Sequence, residues 1–139
     1  MIDVNGTPEQ REEYCPRMTS GEIIGSYCLT EPGSGSDASA LATTCIRDGD
    51  DFVLNGSKCF ISGAGVHDLY AVMVRTDPST KGPKGISCVL IPKDTPGLSY
   101  IKKIGLKAIK AFLLVQTKLK WDGSLIPLEF SSWRTAEFQ

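Results

Sequence analysis

A single histidine, His67, is all the imidazole the 139 residues contain. A multi-histidine metal site is thereby excluded, and a Ser-His-Asp triad would have to be built on that one side chain. No run of about twenty apolar residues occurs, so no segment reads as a membrane-spanning helix. Excess charge of either sign is also missing. The 15 basic residues face 16 acidic ones, which gives no global field for nucleic acid or an anionic membrane. Any anion site must be local. The five cysteines, Cys15, Cys28, Cys45, Cys59 and Cys88, form no CxxC pair and no disulfide-like ladder. Three of them lie in apolar runs, where cysteine behaves as a small hydrophobe, and a reducing compartment fits best. The opening MIDVNGTPEQ has neither a signal peptide's apolar segment nor a transit peptide's arginine-rich pattern.

What is present suffices for one packed core, since 15.0 kDa with 41% apolar residues is too small for two domains of ordinary size. Near the start, Thr7-Pro8-Glu9-Gln10 combines a capping threonine, proline at the first helical position and a capping-box glutamine. A short helix is expected there, stopping around Tyr14 or Cys15 because Pro16 disfavours helical geometry before it. From Glu22 onward the pattern becomes short β-rich runs separated by turn residues, as in a small barrel or sandwich. The candidate strands are Ile23 to Leu29, Ala42 to Arg47, Asp51 to Leu54, Cys59 to Ser62, Leu69 to Thr76, Ile86 to Ile91 and Leu98 to Ile101. Asp48-Gly49-Asp50 and Asn55-Gly56 are hairpin signals. Residues 105 to 115 fit a basic amphipathic helix and a strand equally well, whereas 117 to 121 alternate like a strand.

The densest chemistry lies in Tyr27-Cys28-Leu29-Thr30-Glu31-Pro32-Gly33-Ser34-Gly35-Ser36-Asp37, where an apolar strand runs into small residues and hydroxyls. Glycines let a ligand approach the main chain, and free amides and hydroxyls can then donate to it. A decorated β-turn reads the same letters as well. Neither GxGxxG nor a P-loop is present, because no helix-opening pattern or Gly-Lys-Ser/Thr follows.

This string closely resembles the signature of acyl-CoA dehydrogenases, flavoenzymes that oxidise the α,β carbon bond of acyl-CoA thioesters. Further stretches resemble the same family in the same order: GTPEQREEYCPRMTSGE, LNGSKCFISGAG, PKGISCVLIPKDTPGLS, and KIGLKA followed by WDGSLIP. The likeness spans roughly residues 3 to 127 and is nearest to isobutyryl-CoA and short branched-chain dehydrogenases. It implies a mainly β fold, the family's barrel-like or sandwich-like middle domain with a short N-terminal helix. The implied division is 1–22 as helix end and linker, 23–127 as the flavin-binding β domain, and 128–139 as a divergent tail, poorly ordered.

The cofactor implied is FAD. By resemblance, Tyr27, Cys28, Leu29, Thr30, Gly35 and Ser36 lie along the flavin, with Leu29 and Thr30 near its pyrimidine edge and Gly35 and Ser36 near its phosphates. Ser36 also touches the acyl-CoA substrate. Phe60, Ile61 and Ser62 cover the other side of the ring, with the Ser62 hydroxyl toward N5. Phe60 stands where many members carry tryptophan. Taken alone, Thr30 is equally a turn cap, Ser62 a strand-end hydroxyl and Phe60 a core aromatic. No catalytic residue and no metal ligand is assigned: the family's proton-abstracting glutamate lies in a helical domain beyond the matching region, so the chain is expected to be inactive alone. The resemblance further implies electron-transferring flavoprotein as partner, a homotetrameric parent and a mitochondrial matrix location, with no nucleic-acid or membrane partner. A second reading is a non-catalytic truncated module that associates with full-length subunits.

Overall fold

The computed structural model describes residues 1–102, 111–120 and 128–129. Two helices open the chain, α1 (Ile2–Asn5) and α2 (Pro8–Thr19). The strands follow as β1 (Gly25–Cys28), β2 (Thr44–Asp48), β3 (Asp51–Lys58), β4 (Leu69–Arg75), β5 (Ile86–Pro92), β6 (Leu98–Lys102), β7 (Ala111–Lys120) and β8 (Leu128–Glu129).

The strands form one sheet in the order β6-β7-β3-β2-β4-β5-β8, with β1 paired to β4 off that path. It curls into a half-barrel rather than two stacked layers. β4 reads LYAVMVR because both its faces are buried. Tyr70, Val72 and Val74 point into the main core with Cys28, Cys45, Leu54, Ile61, Val89, Ile91 and Leu119. The alternate residues meet two smaller clusters: Leu69 packs with Ile2, Tyr14, Ile23 and Leu90, and Met73 with Leu41, Ile86 and Cys88. Strand periodicity thus divides one apolar run between the main core on one face and two smaller clusters on the other.

One edge of β4 serves two strands in succession. β1 runs parallel to it from Gly25 opposite Leu69 to Cys28 opposite Val72, and β2 rejoins it where Thr44 faces Arg75. Residues 29–43 are the excursion between these contacts, and the motif loop lies within it.

Three local expectations change. α2 has the foreseen capping box, with Thr7 and Gln10 exchanging bonds, but it runs through Pro16 to Thr19. The carbonyl that Pro16 cannot serve belongs to Glu12; both residues are exposed, so water can take the bond. The Asp48-Gly49-Asp50 hairpin forms, with Gly49 at φ +64° and Asp48 opposite Asp51. Asn55-Gly56, by contrast, is not a turn: β3 continues through it to Lys58. Glycine is needed there for clearance, because a Cβ would lie 2.4 Å from Thr43 Oγ1. Finally, Cys59 to Ser62 is not a strand; Phe60 takes φ +59° and breaks the extended run. The helix-or-strand alternative resolves as strand for 111–115, while 103–110 and 130–139 lie outside the described residues.

Candidate functional site

Beyond Cys28 the chain keeps its extended course for two residues, and the Cys59 N–H donates to the Thr30 carbonyl at 2.8 Å. Pro32 and Gly33 then turn it. Glu31 and Ser34 exchange both main-chain bonds, at 2.9 and 3.1 Å. Ser34 Oγ donates to the Asp37 carbonyl at 2.8 Å, and Asp37 Oδ1 caps Ser39 through its amide and its hydroxyl. These bonds satisfy only part of the loop's polar groups. Gly35 and Ser36 are exposed, and neither their amides nor the Ser36 hydroxyl finds a partner among the described residues. Nor does the fold itself require the glycines. Gly33 and Gly35 do not have positive φ, and an added Cβ would meet nothing within 4 Å. Bare main chain with free amides is the surface an anionic group can approach closely.

The second segment, 59–67, lies alongside. Ser26 Oγ donates to the Ser62 carbonyl at 2.6 Å and lies 2.9 Å from His67 Nδ1. The Ser26 proton is committed to that carbonyl, so His67 Nδ1 must carry the hydrogen in the second contact. This pair therefore holds the loop and is not arranged as nucleophile and base. Tyr70 Oη receives the Gly65 N–H at 2.9 Å, and a Cβ on Gly63 would lie 2.2 Å from the His67 ring. With Ser26 bonded to Ser62 and Thr30 to Cys59, residues 26–30 and 59–62 run antiparallel as neighbours.

The predicted residues separate by environment. Thr30, Gly35, Ser36, Phe60 and Ser62 retain accessible surface, and Phe60 is 53% exposed despite its left-handed backbone. Such strain in a bulky residue is characteristic of functional segments. Tyr27 is half exposed, and Leu29 packs beside the Leu41–Cys88 cluster. Cys28 and Ile61 belong to the main core and are buried as whole residues, so neither offers a surface to a ligand. Burial raises the thiols of Cys28, Cys45 and Cys88 to about 12, which removes them as nucleophiles. A groove of about 1050 Å³ opens between α2 and β1, lined by Met18, Gly25, Tyr27 and Ala71. Tyr27 is the only predicted residue in its walls.

One pair went unread in the sequence. Lys58 Nζ meets Glu31 Oε1 at 2.8 Å and donates to the Leu29 carbonyl at 3.1 Å. The Glu31 carboxylate also accepts the Ala42 N–H at 2.7 Å and the Thr43 N–H at 2.9 Å. Burial alone would raise the Glu31 carboxyl; Lys58 and the two amides outweigh it and hold it below the usual range. Burial also lowers Lys58, against the pull of Glu31. The signal was available: Leu54, Gly56 and Lys58 share one face of β3, and a lysine in line with a core leucine requires a carboxylate partner.

Residues 26–116 match the family described as acyl-CoA dehydrogenase, middle domain. Mitochondrial isobutyryl-CoA dehydrogenase of Dictyostelium discoideum is 61% identical over 103 residues, which is 74% of this chain and 24% of that protein. Butyryl-CoA dehydrogenase of Megasphaera elsdenii superposes with a TM-score of 0.81 at 34% identity, covering 92% of this chain and 35% of the other. A glutaryl-CoA dehydrogenase of Mycobacterium smegmatis in complex with FADH2 gives 0.79 at 32% identity, over 91% and 32%. The chain thus spans about a quarter of the length of the curated relatives it matches.

Proposed function

Because the chain belongs to the acyl-CoA dehydrogenase family, we propose that residues 23–127 form the FAD- and acyl-CoA-binding β domain of an enzyme that dehydrogenates short or branched acyl-CoA. The observation that carries this reading is the antiparallel approach of residues 26–30 and 59–62. It brings the Thr30 and Ser62 hydroxyls onto adjoining segments, and neither bonds to another described residue. Two partnerless hydroxyls, two free amides and a bare glycine main chain fit a ligand that combines a polar heterocycle with phosphates.

Bound FAD supplies the hydride acceptor. The chain's own residues would bind and orient it. Gly35 and Ser36 offer N–H and hydroxyl donors to a phosphate, and Thr30 offers a hydroxyl to the polar edge of the ring. Ser62 adds a second donor, and donors fixed in advance stabilise developing negative charge without reorganising. Phe60 walls the ring and excludes water. Tyr27, Cys28, Leu29 and Ile61 form the platform, the two core residues supporting it from beneath. Ser36 is proposed to contact the thioester substrate as well. Glu31 is no base here, since Lys58 and two amides occupy its oxygens. The chain is therefore proposed to bind without turning substrate over.

The mitochondrial isobutyryl-CoA dehydrogenase of Dictyostelium discoideum supports isobutyryl-CoA or a similar substrate for the whole enzyme, and a mitochondrial location. A structural neighbour from work on the electron transferring flavoprotein of Acidaminococcus fermentans, 35% identical, is in keeping with a protein of that kind as the electron acceptor. Titration of the chain with FAD tests the reading. Saturable quenching of flavin fluorescence, weakened in Thr30→Ala and Ser62→Ala, is expected. Unchanged fluorescence at high protein concentration would reduce the domain to a scaffold.

A further inference from the structure

We infer that the buried Glu31–Lys58 pair is the positioning device of the proposed flavin face, holding the 29–37 loop and the 59–62 segment at one fixed separation. The inference rests on the flavin reading above. Lys58 ends β3 and immediately precedes Cys59, whose amide bonds Thr30. Its ammonium is bonded on the other side to the Leu29 carbonyl and Glu31, so residues 29–31 are fixed to 58–59 by one side chain and one main-chain bond. Through its oxygens Glu31 extends the same cluster to the Ala42 and Thr43 amides, where the excursion returns to the sheet. All three stretches that frame the loop thus meet at a single ion pair.

Stability alone does not call for charge at this place. The Lys58 side chain has no solvent exposure and that of Glu31 has 6%, so both lose hydration, and apolar residues of similar volume often serve a fold as well as a buried pair. Apolar packing, however, cannot direct a carbonyl or hold two amides in a set orientation. Hydrogen bonds to a fixed charge can do both. Leu29 and Thr30, on one flavin-facing segment, and Phe60 to Ser62, on the other, are the residues whose placement depends on it. Neither Glu31 nor Lys58 touches a ligand in this account; both act through their neighbours.

The test compares Lys58→Met, the double variant Glu31→Gln/Lys58→Met, and Lys58→Arg with the unaltered chain. Three readouts are followed: thermal midpoint, FAD affinity by flavin fluorescence, and amide hydrogen exchange. The single Lys58→Met lowers the midpoint because it strands a buried carboxylate. The double variant recovers most of that loss, yet its FAD affinity stays about tenfold or more below the parent's. In the double variant, amides of 29–37 and 59–62 also exchange about tenfold faster together, while those of β4 and β5 do not change. Lys58→Arg keeps the charge and restores part of both properties. A double variant of native midpoint with native affinity and native exchange in both segments would overturn the inference, leaving the pair as core filling. If no form binds FAD, the flavin reading fails, and exchange in the two segments still decides whether the pair positions them. If the double variant does not fold, Lys58→Arg carries the test: coupled loosening of both segments supports positioning, and none overturns it.

Discussion

Lys58 sits where its own chemistry is least at home, and the local structure is arranged around that fact. Removing it alone leaves the Glu31 carboxylate buried without its cation; Lys58→Met is therefore expected to cost about 3–5 kcal/mol in urea denaturation. Phe60 poses the opposite case, a residue held against its preference on the surface. Phe60→Gly relieves the left-handed backbone while freeing the unfolded chain, so stability should stay within about 1 kcal/mol of the parent. FAD affinity should fall nonetheless, which would separate what the aromatic does for the ligand from what it does for the fold. Individual letters made Gly35 and Ser36 readable as donors, whereas Thr30 and Ser62 gained that reading only from the family resemblance. The letters did not show that Ser26, a plain strand serine, clamps the Ser62 carbonyl, because that contact depends on which strands become neighbours.

Among the elements, β4 and β5 were legible because an unbroken apolar run has few homes other than a doubly buried strand. β3 was cut short in the reading because Asn55-Gly56 carries turn chemistry, and only the proximity of Thr43 reveals why glycine stands there. Gly56→Ala should cost about 1–3 kcal/mol through that collision, measurable as a shift of the urea midpoint without a change of slope. In α2 the proline rule gave the wrong end, since the carbonyl that loses its donor lies on the wet face. Pro16→Ala should then stabilise the chain by about 1–3 kcal/mol; destabilisation would show that the proline ring contributes packing that outweighs the missing bond.

At the scale of the whole molecule, acid sensitivity follows from the carboxylates. Bonds from the Ser79 and Thr80 side chains and amides bring Asp77 down to about 2, Glu31 is held low by Lys58 and its amides, and Asp68 by Lys93 and the Ile24 amide. All three bind protons more readily in the unfolded chain than in the folded one. Their contribution is therefore present above the ordinary carboxylate range and is lost as the pH falls through the lowered folded-state values, which for Asp77 means about 2. A thermal midpoint that declines over that window, and less steeply in Asp77→Asn, is the expected profile. A mainly β fold of barrel or sandwich type was legible from strand spacing and turn residues, while the order of strands was not, because the β1–β4 and β3–β7 pairings join segments far apart in sequence.

The central claim, that 26–36 and 59–62 present one ligand face, is tested most directly by mapping amide shifts on a labelled chain as FAD is added. The account predicts saturable shifts at Leu29, Thr30, Gly35, Ser36 and Phe60 to Ser62, with the Asp48–Asp51 hairpin unmoved. Saturable shifts confined to the groove beside α2, or to one of the two segments alone, would contradict it.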